Sequence, residues 1–144
     1  LVTRLKRNSK HITVETAGIC FVPDLQCDLM SISPKLSNSI PSQPHLAEIH
    51  KKSMLNIPAL RQLIDNYEYQ LKFVVDSVDD LPEVRQTIEK IGNVDTKKVL
   101  LMLQAATQDK YLLKLPIAEQ MCKKAGFAFS PRLQVLLWNN ARGT

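Results

Sequence analysis

Residues 69–104 read YQLKFVVD, then SVDDLPEVRQTIEKIGNVDTK, then KVLLMLQ. The first and last pieces are apolar runs of strand length. The middle piece carries nearly every helix signal. Asp79 or Asp80 stands at the N-cap, Pro82 and Glu83 fall in the first turn, and Gly92 stops the helix behind Lys90. KVLLMLQ is almost wholly apolar, as a parallel strand covered on both faces would be. A strand, a helix and a strand at this spacing form a parallel pair joined by a right-handed crossover. That unit constrains the fold more than any other stretch of the chain.

The rest of the chain extends the alternation. HITVET (11–16) is a strand closing on the turn Ala17-Gly18, and CDLMSIS (27–33) is the next strand. The polar segment from Leu36 to about Ser53, with Pro41, Pro44 and several serines, reads as a loop. A helix is expected from about Pro58 to Tyr67, capped by Asn56, with Leu60, Leu63 and Ile64 on one face. Another is expected from about Asp109 to Ala125, stopping at Gly126, with Lys123 and Lys124 favourable at its C-terminus. Pro116 inside it either kinks it or marks a second start. RLQVLLW (132–138) reads as the last strand. This pattern is α/β: a doubly wound sheet or part of a β/α barrel. Both bind ligands at the carboxyl ends of their strands.

Several classes are disfavoured. The 144 residues suit one domain. No run of about 18 apolar residues marks a membrane span, and no N-terminal segment of signal-peptide type appears. The chain begins with Leu, not Met, so the true start is expected upstream. The net charge of +5 would suit an anionic partner, but the basic residues are scattered, which favours a solvated surface over nucleic-acid binding. Three cysteines, Cys20, Cys27 and Cys122, without a CxxC, fit a reducing cytoplasmic setting as small core residues. Dinucleotide, Walker and GxSxG motifs are absent, and His11, His45 and His50 form no HxxxH.

The polar strand ends are the candidate site. Side chains alternate along a strand. Ser31, Ser33 and Lys35 therefore share one face, leaving Met30 and Ile32 to pack on a helix. Thr13 and Glu15 share a face on the first strand. Lys72, Val74 and Asp76 oppose Leu71, Phe73 and Val75, and Gln104 ends an apolar strand. Lys72 sits mid-strand among apolar neighbours and needs a partner; Glu15 is the candidate across the sheet. These residues imply a polar cavity and, by themselves, no reaction. A polar residue at a strand end is usually just solvated, and a structural ion pair is the alternative for Lys72.

Wording and order go further. ITVETAG, CDLMSISPKLSNS, YQLKFVVD, VLLMLQAAT and the closing FSPRLQVLLWNNARGT together resemble the C-terminal part of the 7-carboxy-7-deazaguanine synthase family, over essentially all of residues 1–144. ETAG is shared by many radical S-adenosylmethionine (SAM) proteins. SPRLQVLLWNNARG is the most specific stretch. The resemblance implies a partial (β/α) barrel of radical SAM type, with parallel strands alternating with helices. It implies that Ser33, Pro34 and Lys35 contact SAM at a strand end, and that Gln104, Ala105, Ala106 and Thr107 form a second SAM-contacting segment. Glu15, with Lys72 beside it, would line the cofactor region, and the C-terminal Thr144 would reach the substrate. Ala105 departs from the proline common there, and Gln134 stands where relatives often carry histidine.

For a complete enzyme the resemblance implies a lyase of queuosine and 7-deazapurine biosynthesis. A 4Fe-4S cluster reductively cleaves SAM, and the 5′-deoxyadenosyl radical takes a hydrogen from 6-carboxy-5,6,7,8-tetrahydropterin. The ring contracts to 7-carboxy-7-deazaguanine with loss of ammonia, assisted by Mg2+. The cluster cysteines, the magnesium ligand and a Gly-Gly-Glu-Pro motif precede ITVETAG in the family, so this chain alone is expected to be inactive. A flavodoxin or ferredoxin reductant, a homodimer, and no direct contact with nucleic acid or membrane are further expectations. So are exposed apolar strand edges near ITVET, with a tendency to aggregate or dimerise. The competing readings are a non-catalytic basic α/β module for RNA and another radical SAM activating enzyme.

Overall fold

The computed structural model describes residues 1–139 and 141. Helix α1 (Val2–Arg7) leads into strands β1 (Thr13–Thr16) and β2 (Leu29–Ile32). Helices α2 (Pro44–Ser53) and α3 (Ile57–Asn66) follow, then β3 (Tyr69–Val75), α4 (Leu81–Ile91), β4 (Val99–Leu103), α5 (Gln108–Ala125), β5 (Ala128–Phe129) and α6 (Leu133–Trp138).

The strands form one all-parallel sheet in the order β1-β2-β3-β4-β5. Consecutive neighbours joined by right-handed crossovers put every connecting helix on the same face. A doubly wound sheet would instead reverse its strand order midway. The arrangement is therefore that of a partial β/α barrel.

Burial follows the same logic. Leu71, Phe73 and Val75 of β3 and Val99, Leu101 and Leu103 of β4 are at most 1% exposed, beneath the helices. Gln70, Lys72, Val74, Leu100 and Met102, on the opposite face, are only half-buried. β4 is thus not covered on both faces, as its apolar run suggested. Its second face looks into a cleft.

The helices form for local reasons. The Asn56 carboxamide caps α3 by accepting from the Ala59 backbone N–H at 3.2 Å. Leu60, Leu63 and Ile64 lie on its buried face. Ahead of α4, Ser77 and Asp80 form a capping box, and the Asp80 carboxylate accepts from the Ser77 backbone N–H. α5 runs unbroken through Pro116 and ends at Gly126, which takes the left-handed conformation.

Two expectations fail on secondary structure. The segment read as a loop from Leu36 to Ser53 contains a short 3-10 turn, Ser37–Ser39, and the helix α2. Pro44 opens that helix at its first turn, where a missing N–H costs nothing. RLQVLLW is the helix α6, not a strand, and only Val135 of it is buried. The last strand is the two-residue β5, paired with β4 through Leu100 and Leu101. The cysteines divide: Cys27 and Cys122 are half-buried against the core, but Cys20 is exposed. The outer edge of β1 has no strand partner among the described residues. Its most exposed side chains are Thr13 and Glu15, so this edge is open but polar.

Candidate functional site

Parallel strands send their carboxyl ends to one side, and alternation sends every second side chain to one face. Together they define a cleft. In register across the sheet, Glu15 of β1 lies opposite Ser31 of β2, and Ser31 opposite Gln70 of β3. Further along, Lys72 is opposite Leu100 and Val74 opposite Met102. The helix-free face therefore begins as a polar row and becomes apolar toward β4.

The cavity on this face has a volume of about 650 Å³. Glu15, Ser31, Ser33, Lys35, Lys72 and Gln104 line it from β1 to β4. The loop after β5 closes the far side with Ser130, Pro131 and Arg132, joined by Leu133 and Gln134 at the start of α6. A smaller cavity of about 280 Å³ adjoins it. Lys35, Val74 and Gln104 line both, and Pro34, Leu36 and His50 line only the smaller one.

The floor is a hydrogen-bonded network. The Gln70 carboxamide donates to the Ser31 hydroxyl at 3.0 Å, and the Lys72 ammonium donates to Glu15 Oε1 at 2.8 Å. Ser31 is 1% exposed, so its hydroxyl needs this partner. The Glu15–Lys72 pair is the one expected across the sheet. The Lys72 ammonium holds the Glu15 carboxyl below its ordinary value, first by hydrogen bonding and then by charge. Burial opposes the shift weakly, and the Ser31 hydroxyl adds to it.

A pH dependence follows. The folded-state value of Glu15 is depressed, so its contribution to stability is fully present above the ordinary value of 4.5 and is lost as pH falls through the lower folded value. Urea unfolding of the wild type and of Lys72→Met should differ by an amount constant above that value and changing steadily below it. The slope is the readout, because removing a half-buried ammonium also shifts the baseline. A difference that stays flat through the acid range would remove the assigned coupling.

The other anticipated residues are distributed differently. Ala105 is 6% exposed, and its carbonyl accepts from Arg132 Nη1 at 2.9 Å. Thr107 is the N-cap of α5, and Ala106 is exposed. None of these three lines either cavity on this face. Thr144 lies outside the described residues. Arg132 and Ser130 were not anticipated, because the last strand was assigned to 132–138. Recognising β5 at 128–129 would have made 130–132 the loop at a strand's carboxyl end, the usual place for function in such sheets.

No metal-binding group of three or more His, Cys, Asp or Glu side chains occurs among the described residues. Burial pushes the Cys27 and Cys122 thiols up, away from the thiolate that metals need. No helix among the described residues is long and apolar enough to cross a membrane.

Comparison with curated proteins finds similarity to synthases of one name along the chain. It is 36% identical over 148 residues to the 7-carboxy-7-deazaguanine synthase of Rhodopirellula baltica, matching 100% of this chain and 57% of that protein. To that of Halobacterium salinarum it is 33% identical over 156 residues, again across 100% of this chain and 60% of the relative. To that of Pyrobaculum aerophilum it is 30% identical over 139 residues, covering 92% of this chain and 54% of the relative. The chain thus resembles these synthases along essentially its whole length, and spans a little over half of theirs. No family model and no solved structure matches it.

Proposed function

We propose that the chain forms the C-terminal part of a 7-carboxy-7-deazaguanine synthase of the radical SAM type, with its helix-free cleft as the cofactor and substrate wall. One observation carries this reading: Glu15, Ser33, Lys35, Lys72 and Gln104, from four strands or the loops just after them, line a single cavity in a chain similar throughout to such synthases.

The residues suit SAM, which is zwitterionic and polar. The Lys35 ammonium offers a cation to a carboxylate, Ser33 and Gln104 offer donors and acceptors, and Glu15 supplies the negative charge. The Glu15–Lys72 pair holds the floor in one arrangement and keeps both charged groups from drifting into the ligand space. When bound, SAM supplies the reactive carbon radical that starts conversion of 6-carboxy-5,6,7,8-tetrahydropterin to 7-carboxy-7-deazaguanine with loss of ammonia. Lys35 and Gln104, standing between the two cavities, would orient that cofactor, and Val74 and Met102 would exclude water beside it.

For the iron–sulfur cluster and Mg2+ of the proposed enzyme, the described residues bring together no group of three or more His, Cys, Asp or Glu side chains. In the proposed enzyme both are held elsewhere, and this chain alone is inactive. A cytoplasmic homodimer reduced by flavodoxin or ferredoxin completes the proposal.

The test is the complete reading frame containing this chain, expressed anaerobically and loaded with iron and sulfide. Assayed with SAM, Mg2+, dithionite and 6-carboxytetrahydropterin, it should yield 7-carboxy-7-deazaguanine by mass spectrometry. Lys35→Ala should lower kcat/KM for SAM by about tenfold or more, the usual loss for one charged hydrogen bond. A well-loaded protein that makes no product would sink the proposal. An RNA-binding module would instead show salt-dependent RNA capture with no turnover.

A further inference from the structure

We infer that Lys114 is a positioning residue of the cleft: its ammonium fixes the main chain at Gln104, so that the Gln104 carboxamide is presented between the two cavities in one set place. The inference rests on the proposed function only in taking SAM as the ligand this carboxamide meets.

The frame joins three elements. Lys114 stands in the second turn of α5 and lines neither cavity. Its ammonium donates to the Gln104 carbonyl at 3.1 Å, just past the end of β4. It also donates to the Asp76 carboxylate, just past the end of β3. The two strand ends are joined directly as well, since the Gln104 backbone N–H donates to the Val75 carbonyl at 2.8 Å. Asp76 is itself held, because its backbone N–H donates to the Asp80 carboxylate ahead of α4. One ammonium thus ties α5 to the carboxyl ends of two neighbouring strands. Its hydrogen bonds are charge-assisted, and the side chain is only 27% exposed, so water competes for it less than for a fully solvated lysine.

The consequence is specific to Gln104. Both of its main-chain polar groups are held, yet its carboxamide has no hydrogen-bond partner among the described residues and lines both cavities. A clamped backbone beneath a free polar side chain is the arrangement of a pre-organised ligand contact. The order is in place before a ligand arrives, so less freedom is lost on binding. The next carbonyl, that of Ala105, accepts from Arg132, and the Gln108 backbone N–H donates to Asn139. Those bonds steady the rest of the loop, but among the described residues only Lys114 reaches the Gln104 carbonyl. A structural ion pair would need Asp76 alone. The second acceptor, a carbonyl at the edge of both cavities, links the pair to the cleft.

The experiment measures hydrogen exchange and SAM binding on the complete reading frame containing this chain. In the ligand-free protein, Lys114→Met should speed exchange across residues 104–108 by about tenfold or more. Lys123→Met, which removes an exposed ion pair from the same helix, should not. With the cluster loaded, equilibrium dialysis should show Lys114→Met raising the Kd for SAM by about five- to tenfold, with most of the loss recovered in Lys114→Arg, which can still donate to both oxygens. Gln104→Ala should weaken SAM binding comparably. In a Gln104→Ala background, Lys114→Met should add nothing, because Lys114 acts through a carboxamide that is gone. Circular dichroism confirms that each variant is folded.

Unchanged exchange in Lys114→Met overturns the frame. Faster exchange with unchanged SAM affinity, or additive losses in the double variant, reduces Lys114 to a structural role and overturns the inference. Either result leaves the proposed function standing. A loaded wild type that binds no SAM overturns that function and the inference together.

Discussion

Replacing Phe73 with alanine should destabilise the fold by about 3–5 kcal/mol, the cost of deleting a buried aromatic ring and leaving a cavity. Phe73 is 0% exposed at the centre of β3, in register with Leu101, which is 1% exposed. Its neighbours Leu71 and Val75 on the same face are equally buried, so little can collapse into the space. Total stability for a domain of this size is about 5–15 kcal/mol. The variant should therefore melt roughly 10 °C or more below the wild type. Phe73→Leu, which keeps most of the volume, should lose only about 1 kcal/mol. Urea unfolding measures both. A loss below about 1 kcal/mol for the alanine variant would mean that this ring is not the keystone its burial implies.

Gly18→Ala is the second large effect, and its cause is collision rather than a void. Gly18 has a φ of +74°, and a methyl group there would stand 2.3 Å from Leu60 Cδ2 and 3.0 Å from Ile32 Cγ2. Leu60 and Ile32 are both 0% exposed and cannot swing into solvent. Backbone strain and overpacking add, for an expected loss of about 2–4 kcal/mol. Gly126 is the control. It has a φ of +73° but nothing within 4 Å of an added methyl, so Gly126→Ala should lose only about 1 kcal/mol. The difference between the two variants isolates the collision. Equal losses would show that α3 moves aside and that the turn after β1 is loosely packed.

The sequence made some of this legible and hid the rest for physical reasons. β3 and α4 were readable because their periodicities are strong and their boundaries carry caps. The Glu15–Lys72 pair was readable because a lysine among apolar neighbours needs a partner, and strand alternation left few choices. α2 was hidden because none of its residues is buried, its large apolar residues are only Leu46 and Ile49, and its opening proline resembles a loop signal. α6 was hidden because Val-Leu-Leu-Trp suits a strand as well as a short helix. β5, with two residues, is too short to carry any pattern. The misplaced last strand then concealed Arg132. Thr107, carried over as a ligand contact, is also the N-cap of α5.

The helix-free face of the sheet has one more consequence, for how such a protein can vary. Along β3 and β4, odd and even positions answer to different selective demands. Residues 71, 73 and 75 are constrained by packing against the helices, and residues 72 and 74 by whatever occupies the cleft. Substitutions on the cleft side that leave the Ser31–Gln70 and Glu15–Lys72 contacts in place can accumulate with little cost to folding, so new ligand preferences remain accessible without rebuilding the core. A single-residue deletion in β3 has no such freedom. It would exchange the two sets at once, placing Lys72 under the helices and Phe73 in the cleft. The fold therefore tolerates changes of letter on one face far more readily than changes of frame.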